Sequence, residues 1–219
     1  MRPLTERTPK ALLEVSGRPL IEHHLVRLAA AGYTEVVINV AHLGNQLVDF
    51  LGDGSRWGLM LQISSEKEPL ETAGGIVQAL PLLGRAPFLL VNADIFTDYP
   101  FQNLRDAAVP QRGGHLVLVP NPAQHPVGDF RLVDSQIMAL GYAKESSTAS
   151  TEVSLTYAGI ALLDPSFFAD ISSGKRPLRP LFDLAIDDQR LSGEYYGGLW
   201  ADVGTPERLE ELNRQFPSP

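Results

Sequence analysis

Hydrophobic and polar positions in the first hundred residues follow helical and strand periods in turn. Over 19–31 (PLIEHHLVRLAAA) apolar side chains recur every three or four positions, which predicts a helix that begins at Pro19 and ends before Gly32. The β-branched run at 35–40 (EVVINV) predicts a buried strand. Further predicted elements of this half are helices over 45–51 and 74–83 and strands over 59–63 and 87–92. Strands separated by helices predict a mainly parallel sheet with helices on both faces.

After Pro100 the apolar runs are shorter and turns separate them. The pattern predicts strands over 116–119, 130–133, 137–140, 156–163 and 195–200 and a helix over about 178–189. A final helix is predicted by Thr205 as N-cap, Pro206 at the first helical position and an apolar stripe through Leu209, Leu212 and Phe216. No linker-like composition divides the chain, so we predict one domain over residues 1–219 with two lobes.

Composition and charge narrow the classes of function. The chain has 219 residues, of which 44% are hydrophobic and 20% charged, and its net charge is −8. An acidic chain binds the phosphates of nucleic acid and of anionic membranes poorly. The absence of cysteine excludes disulfides and a thiol nucleophile. No apolar run approaches the ~20 residues of a membrane span, and the first residues have no apolar signal-peptide core. We therefore expect a cytoplasmic protein that binds neither nucleic acid nor membranes.

The first ten residues are cation-rich in an otherwise acidic chain. Arg2, Arg7 and Lys10 outnumber the single acid Glu6, and two prolines predict a shaped loop. Such a loop can hold a polyphosphate, with Lys10 as a point charge on the phosphoryl group under attack. A solvated chain terminus is the alternative.

Two aspartates follow apolar strands that lie far apart in the sequence. Asp94 comes shortly after the strand predicted at 87–92, and Asp202 follows the strand predicted at 195–200. Ligands of open α/β sheets bind at the carboxyl ends of strands, and Mg²⁺ binds one or two carboxylates together with phosphates. We predict that both aspartates hold one Mg²⁺ ion. A turn or helix cap is the alternative for each of them.

Two glycine-containing segments are candidate binding loops. In the segment 68–75 (EPLETAGG) Thr72 is predicted to cap a helix whose first N–H groups are open to a ligand. Asp129 follows Gly128 where a loop meets a strand, and with the segment 156–159 (TYAG) it can face sugar hydroxyls. Plain turns are the alternative in both places.

Together these segments resemble the motifs of the sugar-1-phosphate nucleotidyltransferase family. RPLT at 2–5 and TPKALLEV at 8–15 resemble the second half of its opening motif, R-M-x-P-L-T…P-K-x-L. LETAGG at 70–75 resembles its base-binding L-x-T-A-G, and NAD at 92–94 resembles its metal site, with Ala where Gly is usual. WADVGT at 200–205 resembles its closing W-x-D-[VI]-G-T. The motifs occur in family order over nearly the whole chain.

The resemblance implies a Rossmann-like α/β fold of the nucleotide-diphospho-sugar transferase type. Residues 1–100 and 201–219 would form the nucleotide and metal side, and residues 101–200 mainly the sugar side. It implies Lys10 as the catalytic residue and Asp94 and Asp202 as Mg²⁺ ligands. The implied nucleotide-binding residues are Glu68, Leu70, Thr72, Ala73, Gly74 and Asn92. The implied sugar-binding residues are Asp129, Thr156 and Gly159.

The implied reaction joins a sugar 1-phosphate to UTP and releases pyrophosphate. The stretches 51–56, 68–72, 92–99 and 128–132 are most similar to members that use N-acetylmuramic acid 1-phosphate in bacterial cell-wall recycling. Guanylyl transfer to mannose 1-phosphate and thymidylyl transfer to glucose 1-phosphate are the alternatives. The expected partners are small-molecule substrates, and the expected state is a monomer or small homo-oligomer.

The family motif also contains a segment that the printed sequence does not. The family opens with a buried strand and a glycine-rich loop, L-A-A-G-x-G-x-R-M, and this sequence starts at the Met of that motif. We therefore expect the sheet to lack its first, central strand, with backbone groups left unpaired at about 1–3 kcal/mol each where they are buried. A catalytically impaired nucleotide-sugar-binding or regulatory protein is the alternative to an active enzyme.

Overall fold

The computed structural model describes residues 1, 3–141 and 153–217, so Arg2 lies outside the described residues. The helices are α1 (Leu20–Ala30), α2 (Gly44–Leu51), α3 (Glu71–Leu83), α4 (Gln102–Arg105), α5 (Arg179–Asp187) and α6 (Pro206–Gln215). The strands of the first half are β1 (Glu14–Val15), β2 (Arg18–Pro19), β3 (Glu35–Val40), β4 (Met60–Ser65), β5 (Phe88–Val91) and β6 (Ile95–Thr97). Those of the second half are β7 (Gly114–Val119), β8 (Phe130–Val133), β9 (Gln136–Ala139), β10 (Ser154–Leu163), β11 (Leu191–Tyr195) and β12 (Trp200–Asp202).

The α/β class is confirmed, and its strands form one large sheet and three pairs. The large sheet has the order β5-β10-β7-β11-β9-β8, and the pairs are β1 with β2, β3 with β4, and β6 with β12. Parallel pairing is less frequent than predicted. Among the described strands only β3 with β4 and β7 with β11 are parallel. The reason is that β10 runs antiparallel between β5 and β7, and that β8 and β9 are antiparallel neighbours joined by two residues.

The strands β3 and β5 face a common cavity. Within the described part of the chain β3 pairs with β4 and β5 pairs with β10, so one edge of each strand is left over. Residues of both strands line a cavity of about 500 Å³, which apolar side chains of α1 and α3 also line. The sheet is therefore interrupted beside β5, which lies at the end of the large sheet. A run as apolar as 87–91 (PFLLV) is more typical of a central strand.

The predicted elements are largely confirmed, with one clear error. Strands 35–40 and 130–133 have the predicted bounds, and Thr205 caps α6 by accepting from the Arg208 N–H. The strand predicted at 195–200 is wrong, because β11 ends at Tyr195 and β12 begins at Trp200. Between them the Tyr196 N–H still donates to the Leu118 carbonyl of β7 at 2.7 Å, but the Leu199 N–H donates to the Asp98 carboxylate at 2.8 Å, so residues 196–199 connect the two strands without continuing either one.

The core lies on both faces of the large sheet. Leu116 and Leu118 of β7 belong to a buried cluster that also contains Phe182 of α5. Val117 and Val119 of the same strand belong to a second buried cluster on the other side. A strand buried on both faces has an apolar residue at every position, which explains the run LVLV. Each such side chain stabilises the fold by roughly 1.5–3 kcal/mol when it is fully buried.

Candidate active site

Lys10, predicted to act on a phosphoryl group, lies against Asp94. Pro9 has an extended backbone, and Lys10 begins a single 3-10 turn that holds the chain in a defined loop. The Lys10 Nζ donates to Asp94 Oδ2 at 2.5 Å, and both side chains remain about one-third exposed. An ammonium group carries three donors, so this contact leaves donors for a ligand.

The backbone brings Asp94 and Asp202 to one place. In the antiparallel pair of β6 and β12, Asp202 lies opposite Ile95. The next pair along the ladder is closed by the Val203 N–H, which donates to the Asp94 carbonyl at 2.8 Å. The two aspartates, predicted from separate strand ends, are therefore diagonal neighbours on two hydrogen-bonded chain segments.

Asp202 also has partners within the chain. Its Oδ2 forms an ion pair with Arg208 of α6, and its Oδ1 accepts from Gln124 Nε2 at 2.6 Å. Gln124 belongs to the loop between β7 and β8. This contact joins the predicted metal side to the predicted sugar side and was not foreseen, because nothing local in the sequence marks a glutamine that reaches a distant carboxylate.

The donor set suits a hard divalent cation that shares its coordination with substrate. The Asp94 and Asp202 side chains are both partly exposed, and each carboxylate is paired with a cationic side chain. No group of three or more His, Asp or Glu side chains suited to a metal ion occurs among residues 1, 3–141 and 153–217. Mg²⁺ commonly takes only one or two protein carboxylates and completes its shell with phosphate oxygens and water. The residues present therefore fit such an ion.

The polar end of the cavity adds two residues that sequence reasoning missed. Glu66 accepts from Asn39 Nδ2 at 3.2 Å and from the Leu70 N–H at 2.9 Å, and both Glu66 and Asn39 line the cavity. Glu68, predicted to bind nucleotide, is exposed. Glu66 follows β4 directly, so the strand-end rule that selected Asp94 also identifies it.

The start of α3 differs from the prediction. The helix begins at Glu71 with Leu70 as its N-cap, so the predicted capping role of Thr72 is wrong. The Ala73 and Gly74 N–H groups donate to the Arg176 carbonyl at 3.1 and 3.2 Å, and these donors are therefore not open to a ligand. The cause is tertiary, since the loop before α5 folds over the helix end. Thr72 itself lines the cavity beside Asn92.

The predicted sugar-binding residues are engaged with the chain's own groups. Asp129 Oδ2 accepts from the Tyr157 N–H at 2.9 Å, and its Oδ1 lies 3.2 Å from His125 Nε2. The Thr156 hydroxyl donates to Asn121 at 2.8 Å and is buried. These contacts fix the loop to β10, so the two residues shape this side of the molecule from within.

Position 159 requires glycine because the Asn92 side chain lies against it. Its φ of +74° suits glycine, and a Cβ there would lie 2.8–3.0 Å from the Asn92 side chain. The Asn92 N–H donates to the Gly159 carbonyl at 2.8 Å. The structure therefore joins Gly159, predicted on the sugar side, to Asn92, predicted on the nucleotide side.

His24 of α1 supports β6, the strand that begins directly after Asp94. It is 5% exposed, and its Nε2 lies 2.9 Å from the Ile95 carbonyl, which can only accept, so Nε2 carries the proton. Burial lowers the pKa of His24 from 6.5 to about 4, and the imidazole is neutral near pH 7. Its Nδ1 has no hydrogen-bond partner among the described residues.

Comparisons with known proteins agree with these motifs. A sequence model of the nucleotidyl transferase family matches residues 1–218. The chain is 46% identical to the N-acetylmuramate alpha-1-phosphate uridylyltransferase of Neisseria meningitidis, over 96% of this chain and 90% of the relative. It is 33% identical to the protein of the same name from Caulobacter vibrioides, over 94% and 88% of the two chains.

A solved structure shares the fold. It is that of a putative glucose-1-phosphate thymidylyltransferase from Bacillus anthracis in complex with a sucrose. It superposes with a TM-score of 0.81 at 18% identity and covers 99% of this chain and 89% of its own. In the part of the chain that the structure describes, no helix is both long and apolar enough to cross a membrane.

Proposed function

Because the chain belongs to the nucleotidyl transferase family, we propose that it transfers the uridylyl group of UTP to N-acetylmuramic acid 1-phosphate. The observation that carries the proposal is the contact of Lys10 with Asp94, beside the strand pair that adds Asp202. The choice of UTP and of this sugar phosphate is supported by the relative with 46% identity, whose name states that reaction.

The transfer needs alignment and charge neutralisation more than acid–base chemistry. A phosphate oxygen of the sugar 1-phosphate attacks the α-phosphorus of UTP in line, and a new P–O bond forms. The bond from that phosphorus to the bridging oxygen breaks, and pyrophosphate leaves with the electron pair. The attacking phosphate is already ionised near pH 7, so no general base is needed.

Lys10 supplies the positive charge where negative charge develops. Its ammonium group is held by Asp94 and retains donors for the oxygens of the α-phosphate. A fixed donor at that position stabilises the transition state more than the ground state, because the charge on those oxygens grows during attack. Lys10 is therefore the residue that we propose as catalytic.

Family members generally use a divalent metal ion, and we assign Mg²⁺ to Asp94 and Asp202. When bound, the ion would supply Lewis-acid neutralisation of the phosphate oxygens. The carboxylates themselves provide hard oxygen ligands at the end of a rigid two-stranded pair. His24 keeps Ile95, and through it Asp94, in place.

The remaining assignments divide the chain into two lobes of one domain. We propose that residues 1–100 and 201–219 bind nucleotide and metal, with the base at the polar end of the cavity near Thr72, Asn92 and Glu66. Leu70 would contribute through its N–H, which donates to Glu66. Glu68, Ala73 and Gly74 would support this region from its rim and from the helix backbone. Residues 101–200 would hold the sugar, with Asp129, Thr156 and Gly159 shaping that side from within.

We also propose a biological setting. The substrates are small molecules, and the product is a UDP-sugar of peptidoglycan recycling made in the cytoplasm. The chain would act as a monomer or small homo-oligomer, without nucleic acid or membrane partners. The acidic net charge of −8 supports the last point, because both surfaces carry phosphate.

The test is a panel of nucleoside triphosphates and sugar 1-phosphates, assayed for pyrophosphate release with Mg²⁺. We expect UTP with N-acetylmuramic acid 1-phosphate to give the highest kcat/KM. Asp94→Asn and Asp202→Asn should each lower it by at least ~100-fold, since each removes a charged ligand. Asp49→Asn, exposed on α2, is the matched control and should leave it unchanged. Near-normal turnover of Asp94→Asn would refute the metal assignment.

A further inference from the structure

Arg208 is fixed beside Asp202 by the start of α6. It occupies the third position of the helix, and its backbone N–H donates to the Thr205 hydroxyl at 3.3 Å. Its guanidinium forms an ion pair with Asp202 Oδ2, and both side chains are about one-third exposed. The helix cap therefore fixes the backbone from which the Arg208 side chain reaches Asp202, a proposed metal ligand.

Gly204 makes the space in which this ion pair forms. A Cβ at position 204 would lie 2.8 Å from Arg208 Nη1 and 2.8 Å from Asp202 Oδ2, closer than real Cβ atoms approach such atoms. The requirement is space, since Gly204 is not among the residues of positive φ in the described chain. Any larger residue at this position requires the guanidinium or the carboxylate to move.

The two aspartates differ in the kind of cation that they hold. Lys10 on Asp94 is a flexible amine that we assign to the α-phosphate of the substrate. Arg208 on Asp202 is anchored by a helix cap and by a fitted space, and a guanidinium keeps its charge at every accessible pH. The other partner of Asp202, Gln124, is neutral and so does not offset the charge of the carboxylate.

We propose that Arg208 is a positioning residue that fixes the Asp202 carboxylate and weakens its hold on a divalent cation. The inference rests on the proposed function, since it takes Asp202 as a metal ligand. A permanent positive charge on one carboxylate oxygen repels a cation on the other. Fixing one short side chain costs little conformational entropy compared with this repulsion. Removing the charge of Arg208 should therefore strengthen metal binding. The same change loses the carboxylate orientation that turnover needs.

The test separates metal affinity from turnover. Mn²⁺ binding is measured without substrates by the loss of the free-ion electron paramagnetic resonance signal, and kcat is measured with saturating Mg²⁺ and substrates. Arg208→Gln should tighten the Mn²⁺ dissociation constant by roughly 3–10-fold and lower kcat by about 10-fold. Arg208→Lys keeps the charge, so it should bind Mn²⁺ as the wild type does and recover part of kcat.

A second variant and a control complete the design. Gly204→Ala displaces the guanidinium without changing a charged residue, and it should shift both quantities in the direction of Arg208→Gln. Arg214→Gln removes an exposed arginine of the same helix, paired with Glu211, and should change neither. Thermal unfolding of each variant checks the fold, and if Arg208→Gln does not fold, Arg208→Lys and Gly204→Ala carry the test.

Two results overturn the proposal. One is an Arg208→Gln protein with wild-type Mn²⁺ affinity, and the other is a folded variant that binds Mn²⁺ more weakly. Either result leaves the proposed function standing if the wild type makes the UDP-sugar. The opposite outcome is also possible. If Arg208→Gln shows the predicted shift in Mn²⁺ affinity but the wild type transfers no uridylyl group, the proposed function is refuted and this inference is kept.

Discussion

Replacing His24 by glutamine changes how the protein responds to acid. His24 is buried in α1, and its Nε2 donates to the Ile95 carbonyl beside Asp94. A glutamine amide can donate to the same carbonyl and has no proton to gain in this pH range. The substitution therefore removes the titration of the imidazole while it can keep the hydrogen bond.

The size and sign of the effect follow from the pKa. In the unfolded chain His24 takes up a proton as the pH falls through 6.5, whereas burial holds its folded pKa at about 4. Between these values the unfolded state binds more protons, so the free energy of unfolding decreases as the pH falls. Above about pH 6.5 His24 is neutral in both states, so it takes nothing from the free energy of unfolding. By pH 4 the loss from this group amounts to about 3 kcal/mol, at 1.36 kcal/mol per pH unit.

Urea unfolding at several pH values between 7.5 and 4 measures this term. Carboxylates also titrate in this range, so the informative quantity is the difference between wild type and variant. We expect the wild type to lose about 3 kcal/mol more than His24→Gln over the range, with equal m values. Parallel curves for wild type and His24→Gln would refute the assignment of a buried, neutral imidazole.

Other substitutions probe the site and its supports. Lys10→Met should lower kcat by about 100–1000-fold with little change in the KM for UTP, measured by pyrophosphate release, because the charge acts in the transition state. Gly159→Ala should lower the free energy of unfolding by more than ~1 kcal/mol in urea, since φ is +74° and the new Cβ meets Asn92. Thr205→Ala should cost about 1 kcal/mol in the same assay, through loss of the α6 cap. An unchanged kcat of Lys10→Met, or an unchanged free energy of unfolding of either other variant, would contradict the role given to that residue.

Local signals in the sequence predicted most of the elements. The strand β3 has the predicted bounds because its β-branched run is bounded by turn residues, and α6 begins where Thr205 and Pro206 place its cap. The approach of Asp94 and Asp202 followed from the rule that ligands gather at strand ends, applied to two apolar strands. These features depend on a few neighbouring residues, and such residues can be read without coordinates.

Tertiary contacts account for what the sequence did not predict. The Arg176 carbonyl takes the N–H groups at the start of α3, and Gln124 crosses to Asp202 from another loop. Asp98 binds the backbone at Leu199 and thereby divides a predicted strand into two. In each case the partner lies about eighty or more residues away along the chain, and no periodic pattern connects the two positions. Glu66 is the exception, because its place after β4 was available to the same rule that found Asp94.

The central claim is that Lys10, Asp94 and Asp202 transfer a nucleotidyl group. The most direct measurement follows UTP labelled at the α-phosphate in the presence of Mg²⁺ and N-acetylmuramic acid 1-phosphate. We expect the label to move into a UDP-sugar at the rate at which pyrophosphate appears, and Asp94→Asn to abolish both. Release of the label as UMP, or equal rates for wild type and Asp94→Asn, would contradict it.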